Sequence, residues 1–490
     1  MRIIAAVFAT CLLLAPSLGA AQIFMSPAEA KKLGAQEHPK ILKEFGGAYD
    51  DPEIGAYVAG IAGRRAAQSG IPATEFHFTV LNSPVVNAFA LPGGYVYITR
   101  ATLALANNEA EAGAVLGHEI GHVVAKHSEQ RYDKSIITQG AVTVGSILGS
   151  VFLGQGAGDL VGQLGSVAGG AYLDGFSREN EFEADLIGLK LLGQVGYAPN
   201  AAAGFLQSLS DYSDLETKAA GQAGRDRTMD LFATHPRGPD RVQAAIEAAR
   251  SQPANPVYRR DEYLDRINGI VYGDDPKEGV VRGTSFTHPD LRLSFSVPDG
   301  WRLVNSSDAV LAKGPPINGG SGGTLQFDME RDKRKVKSSR NALDYLTRLW
   351  LPKLRLNNAE TIQVNGMPAA TGTARVSMQS GGSQDARFVV VGFPTDDILR
   401  FVLLAPPGTF SRIEPDVIRA VNTLRHLSAD EAAKVQPLRL KVLTAQSGDT
   451  MESLAKRMPP SRFQLERFKV LNGYRDGETL QPGHRVKLVE

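Results

Sequence analysis

The sequence predicts a multidomain chain: a mainly α domain with a short β-strand region, then an α/β domain, then a small βααβ module. Three observations carry this. The 490 residues give a prior of about three domains. From Ser26 to about Arg250, Ala, Leu and Glu recur at helical spacing, interrupted by the β-branched and aromatic run Tyr95-Val-Tyr-Ile-Thr99. After about Val280 the period changes to two, with Leu291, Leu293, Phe295 and Val297 alternating with polar residues.

Residues 1–21 read as a cleavable secretory signal peptide. Arg2 supplies the positive start, Ile3 to Leu14 is apolar but short for a membrane span, and Gly19-Ala20-Ala21 offers a small-residue cleavage site. The expected location is the periplasm. Residues 22–270 form the first domain, in which Pro92-Gly93-Gly94 is turn chemistry leading into the Tyr95–Thr99 strand. The Gly-rich stretch from Gly140 to Gly175 is punctuated by Gln155, Asp159, Gln163 and Asp174. It reads as packing between two helices, with peripheral membrane contact as the alternative.

Residues 280–428 form the second domain, α/β or α+β. Leu325, Phe327 and Met329 repeat the strand period, and Phe388 to Val391 and Phe401 to Leu404 are buried-strand candidates. Ala342 to Leu351 and the Val417, Ile418, Val421, Leu424 face are helical. Strand and helix order alone resembles PsbP-like domains. The basic run Arg331 to Arg340 reads as a solvated loop. Gly319-Gly-Ser321-Gly-Gly323 lacks the strand-to-helix context of a nucleophile elbow.

Composition narrows the chemistry. Lys plus Arg number 53 and Asp plus Glu 52, a net charge of +1, so no basic domain advertises nucleic acid. Cys11, inside the signal segment, is the one cysteine, which excludes disulfides within the chain and multi-thiolate zinc sites. Any metal must be held by carboxylates and some of the nine histidines.

His118 and His122 lie four apart in His118-Glu-Ile-Gly-His122, so a helix places both rings on one face, ready to share a metal. Glu119 sits on the flank of that face, where it can serve as general base without being a ligand. Asn108 and Glu111 form a candidate capping box for this helix. Zinc in a hydrolase takes a third protein ligand. His127 points off the ligand face, which suits a role behind a ligand or in packing. The third ligand is then sought as a carboxylate after the Ser177 N-cap, where Glu181 and Asp185 share a face and Glu179 and Glu183 compete.

Together, Asn87-Ala-Phe-Ala-Leu-Pro-Gly-Gly-Tyr-Val-Tyr-Ile-Thr99, the His118–His122 motif, Glu181-Phe-Glu-Ala-Asp185 and Thr234-His-Pro236 resemble the HtpX and CaaX-prenyl-protease type of zinc metallopeptidase, a gluzincin, in its soluble exported bacterial branch. The resemblance covers roughly residues 26–250 and implies a zincin-type fold. It implies one zinc ion per chain on His118, His122 and Glu181, with Asp185 orienting a ligand. It further implies that His235 acts in catalysis on the oxyanion, or covers the metal in a closed state. Arg241 is a candidate for anchoring the substrate or that loop. Tyr95 to Thr99 is expected to be an edge strand on which substrate lies extended, making Tyr95 and Tyr97 substrate-binding.

Residues 438–490 carry Gln446-Ser-Gly-Asp-Thr450, Leu471-Asn-Gly473 and Gln481-Pro-Gly483, and resemble a LysM module, which implies peptidoglycan as a partner. The expected function is an exported zinc metalloendopeptidase acting on unfolded or misassembled envelope proteins. The alternative is an envelope chaperone, scaffold or peptidoglycan-associated protein whose protease site is masked.

Overall fold

The computed structural model describes residues 25–132, 176–220, 235, 247 and 255–490, less 307–308, 318–319, 321, 331–332, 339, 378–382 and 394–396. The signal segment, the whole Gly140–Gly175 stretch and Arg241 lie outside the described residues.

The first unit begins with two capped helices. Ser26 and Glu29 close a capping box on α1 (Pro27–Glu44), and Asp51 caps α2 (Pro52–Ala66), which starts on proline. A three-stranded sheet follows: β1 (His77–Leu81), β2 (Ala88–Leu91) and β3 (Tyr95–Thr99). The sheet order is β1-β3-β2, with β3 parallel to β1 and antiparallel to β2. The expectation of an edge strand at Tyr95–Thr99 is therefore corrected: β3 is paired on both sides and has no edge to offer. Its pairing with β1 brings back a strand distant in sequence, which local periodicity does not announce.

Beyond the short α3 (Arg100–Leu105) lies α4 (Glu109–Val124), the helix of the His118–His122 motif. The Asn108 side chain accepts the Glu111 amide at 2.9 Å, while the Glu111 carboxylate accepts the Asn107 amide at 2.8 Å. The box thus closes one residue before the cap. Helix α5 (Arg178–Gln194), capped by Ser177, crosses α4, and α6 (Asn200–Ala220) also packs against α4.

The middle unit is β-rich and antiparallel. A seven-stranded sheet (Arg302–Asn305, Val310–Lys313, Thr324–Met329, Asn357–Val364, Met367–Ser377, Ser383–Phe393 and Asp397–Ala405) faces a four-stranded one. Phe286, Phe295, Phe327 and Phe401 share the core between them with Ile413 and Val417 of α7 (Phe410–Asn422). On the opposite face, Phe388 and Val402 pack under Tyr345 and Leu346. Of the α/β and α+β alternatives, the second fits: every strand pair in these two sheets is antiparallel, as hairpins allow.

The last unit has the expected β-α-α-β order: β4 (Leu438–Thr444), α8 (Met451–Ala455), α9 (Gln464–Asn472) and β5 (Arg485–Val489). Its core is continuous with the first unit, Leu454, Phe468, Leu471 and Leu488 joining Leu103, Leu116 and Phe205 in one cluster. Lys487 is fully buried, and its Nζ donates to the carbonyls of Ala104, Leu105 and Ala106 at 2.8–3.1 Å. Arg260 bridges the Asn107 and Arg485 carbonyls. These contacts converge on the segment that caps α4. Among the described residues, no helix is long and apolar enough to cross a membrane.

Candidate metal centre

Two helices build the site because small residues let them meet. Gly117 and Gly121 of α4 face Ala184 and Gly188 of α5. A Cβ on Gly121 would lie 2.7 Å from the Ala184 carbonyl oxygen, and one on Gly188 would lie 2.9 Å from the His118 amide. This close crossing carries Glu181 to His118 and His122. The sequence signal for this crossing is the pair of small residues four apart on each helix.

His118 Nε2 and His122 Nε2 are 3.0 Å apart. The Glu181 carboxylate lies 3.6 Å from His118 Nε2 and 3.5 Å from His122 Nε2. His235 Nδ1 completes the group, 3.2 Å from His118 Nε2 and 2.7 Å from Glu181 Oε1. All four donor atoms fall within 4.8 Å of one another. Ligands about 2.0–2.1 Å from a tetrahedral zinc stand roughly 3.3 Å from each other, so nitrogen and carboxylate donors at these separations suit that ion.

The surroundings orient the donors. Asp185 Oδ1 is 2.8 Å from His118 Nδ1, as a carboxylate that fixes a ligand ring would be. His127 Nδ1 is 2.9 Å from His122 Nδ1, and Glu183 stands 3.2 Å behind His127. Glu183 thus meets His127 and lies outside the donor set, while Glu179 is exposed. Phe176 stacks on the His122 ring at 4.0 Å. Glu119 is fully buried, its Oε1 3.5 Å from His235 Nε2.

Burial pushes His122 well below the usual histidine range, against the opposing hydrogen bond that it donates to Glu181, and His127 moves down for the same reason. Burial alone would raise Glu181. The His235 charge, hydrogen bonds from His122 and His235, and the His118 charge outweigh it and hold the carboxyl far below its ordinary value. A neutral imidazole beside an ionised carboxylate is the protonation state metal ligation requires.

The family model for peptidase family M48 matches residues 52–249, the segment that contains every one of these donors. Residues 52–249 are similar to peptidase family M48. This is a family of zinc metalloendopeptidases, and His118, His122, Glu181 and His235 are the residues of the M48 segment that can hold the ion.

Curated relatives are similar to part of the chain. A beta-barrel assembly-enhancing protease of Yersinia pestis is 32% identical over 46% of this chain and 45% of its own length. The mitochondrial metalloendopeptidase OMA1 of Arabidopsis thaliana is 32% identical over 40% of this chain and 36% of its own. The OMA1 of Schizosaccharomyces pombe is 32% identical over 44% and 60%. The chain thus spans about half the length of the curated relatives it matches. Among solved structures, cyanobacterial PsbP from Synechocystis is 13% identical, covering 30% of this chain and 95% of its own, with a TM-score of 0.23. A Pseudomonas aeruginosa protein of unknown function, PA94, is 17% identical over 28% and 92%, with a TM-score of 0.22.

In the M48 segment, Tyr95 and Tyr97 do not line the metal centre. Tyr97 is buried against Phe89, with its hydroxyl 2.8 Å from His38 Nδ1, and Tyr95 stacks on His77. The edge-strand basis for Tyr95 and Tyr97 as substrate-binding residues does not hold, because β3 is interior to the sheet. The sheet edge nearer α4 belongs to β2, where Ser128 Oγ already donates to the Ala90 carbonyl.

Proposed function

We propose that the chain is an exported, periplasmic zinc metalloendopeptidase that cleaves unfolded or misassembled envelope proteins. The observation that carries the chemistry is the convergence of His118, His122 and Glu181 donors with a buried Glu119 beside them. The names of the beta-barrel assembly-enhancing relatives support envelope proteins as the substrate class. The signal-like start at residues 1–21 supports export.

When bound, zinc supplies Lewis acidity and lowers the pKa of water. His118, His122 and Glu181 would hold it, with Asp185 and His127 fixing the two rings. Glu119 takes the proton of the attacking water and passes it to the leaving amine. Its burial excludes competing solvent, so that proton has one destination. Glu119→Gln is expected to keep zinc and to lose proteolysis of unfolded casein. Full activity in that variant would sink the mechanism.

One observation favours a second reading, a scaffold or chaperone with a masked site. His235 stands among the donors, and four protein ligands close a zinc site, whereas a catalytic one keeps a position open. On the masked-site reading, His235→Ala switches on casein cleavage. If His235 stabilises the oxyanion instead, the same change lowers cleavage. If neither form cuts casein with zinc bound, the peptidase reading falls. The LysM-like motifs support peptidoglycan as a further partner, which pelleting of the full chain with purified peptidoglycan tests.

A further inference from the structure

A cavity of about 190 Å³ lies at the seam where the last unit meets α3 and α6, and it shares no residue with the metal centre. Most of its wall is aliphatic, with Val86, Leu105, Leu215, Val271, Val470 and Leu471. Two cations interrupt that wall: Arg100 of α3, fully buried, and Arg467 of α9, partly exposed at the rim. Arg467 has a counter-ion in Glu216, 2.7 Å away. Arg100 has none in contact. Its Nε donates to Asn82 Oδ1 at 2.7 Å, Nη1 to the Val271 carbonyl at 2.9 Å and Nη2 to the Gly273 carbonyl at 2.6 Å, all neutral acceptors. Asp274 and Asp275 act on its charge, but among the described residues no carboxylate comes within 4 Å of the guanidinium. A guanidinium has five N–H donors, so two remain beyond those three bonds. A buried charge is costly unless it is paired, and burial pulls the Arg100 pKa down to about 10.

We propose that this seam cavity binds an aliphatic monocarboxylate, its head on Arg100 and its hydrocarbon chain against Leu215, Val470 and Leu471. The charge complementarity is specific: an anion supplies the counter-ion that Arg100 lacks, and a chain covers the aliphatic wall. Size agrees. One water-sized probe occupies about 10–15 Å³, so the cavity holds roughly 13 to 19 such groups, and a ten-carbon acid has about 12 non-hydrogen atoms. A polypeptide C-terminus also offers a carboxylate beside an apolar body. It brings in amide groups as well, and beyond the two guanidiniums the side chains of this wall offer them only the hydroxyls of Tyr212 and Tyr272. A fatty acid has no such groups to satisfy.

The test is isothermal titration of full-length, zinc-loaded protein with decanoate, decanol and butyrate. Decanol keeps the chain without the charge, and butyrate keeps the charge with little chain. One decanoate per chain should bind, at least ~10-fold more tightly than either, since a hydrogen bond to a charged group is worth roughly 10- to 100-fold and each buried methylene adds to it. Arg100→Gln should bring decanoate and decanol to equal affinity. Arg467→Gln, which leaves Glu216 unpaired at the rim, should weaken decanoate and spare decanol. Val470→Trp should fill the cavity and lose both. The last two changes lie at partly exposed positions, so they keep the test decisive if Arg100→Gln does not fold. All three also separate this site from carboxylate binding at zinc. Equal affinity for decanoate and decanol in wild type, no saturable binding, or unchanged binding in Val470→Trp overturns the proposal. A leucine-ended pentapeptide that binds more tightly than decanoate, and loses that affinity when its C-terminus is amidated, overturns the fatty-acid occupant.

Discussion

Gly121→Ala is the most direct test of how the two helices build the metal centre. A Cβ at this position would stand 2.7 Å from the Ala184 carbonyl oxygen and 3.0 Å from Ala184 Cα. Ordinary contact begins near 3.4 Å, so α4 and α5 must separate by about 0.7 Å, or the backbone must shift by as much. Overpacking of this kind costs about 1–3 kcal/mol in stability. The larger effect is on the metal. Ligand distances tolerate about 0.2 Å, and Glu181 sits on the helix that is pushed away while His118 and His122 stay on the other. Zinc affinity should fall at least ~10-fold, on the scale seen when contacts that orient ligands are lost. Competition against a chromophoric chelator measures it, with circular dichroism to establish folding. Gly193→Ala is the matched control, since it lies on the same α5 with nothing within 4 Å. It should leave zinc binding alone and stabilise the helix by up to ~1 kcal/mol. A folded Gly121→Ala protein with unchanged zinc affinity would refute the close crossing as the source of the site.

Two further outcomes follow from named contacts. Asp185→Asn replaces the carboxylate 2.8 Å from His118 Nδ1, and zinc affinity should drop roughly 10- to 100-fold; an unchanged chelator titration would contradict its orienting role. Lys487→Met keeps the apolar stem but strips the donor from three carbonyls at the end of α3 and removes the cation whose charge acts on buried Glu111. Breaking such a buried arrangement costs about 3–5 kcal/mol, seen as an earlier unfolding transition in urea; a loss under ~1 kcal/mol would show that Lys487 is not needed to hold the two units together.

The site was more legible in the sequence than the fold that holds it. A metal centre needs specific residue types at helical spacing, so His118, Glu119 and His122 stand out from any background. The Ser177 cap also located the helix carrying the acidic candidates, and His127 took a place behind a ligand ring. Spacing alone left Glu181 level with its acidic neighbours, because choosing among them depends on where α5 crosses α4. That crossing is written in Gly117, Gly121, Ala184 and Gly188, residues whose message is an absence of side chain. The misplaced edge strand has a similar origin. Tyr95–Thr99 has the composition of a strand, but whether it is central or peripheral is decided by β1 and β2, which flank it from either side of a turn-rich stretch.

The C-terminal unit shows the limit of periodicity most clearly. In Arg485-Val-Lys-Leu-Val489 the alternation marks Val486 and Leu488 as inward and Lys487 as outward, facing water. In the structure Lys487 is as buried as its neighbours, because the outward face of this small unit is the inward face of the M48 segment. A lysine suits that place on physical grounds. The end of α3 presents the Ala104, Leu105 and Ala106 carbonyls in a cluster, and an ammonium has three donors to meet them. The next residues, Asn107 and Asn108, bond to Glu111 at the start of α4. The last strand of the chain is therefore one short covalent step from the cap of the helix that carries His118 and His122. A module that looks appended in sequence is, in packing, part of the wall against which the catalytic helix is set.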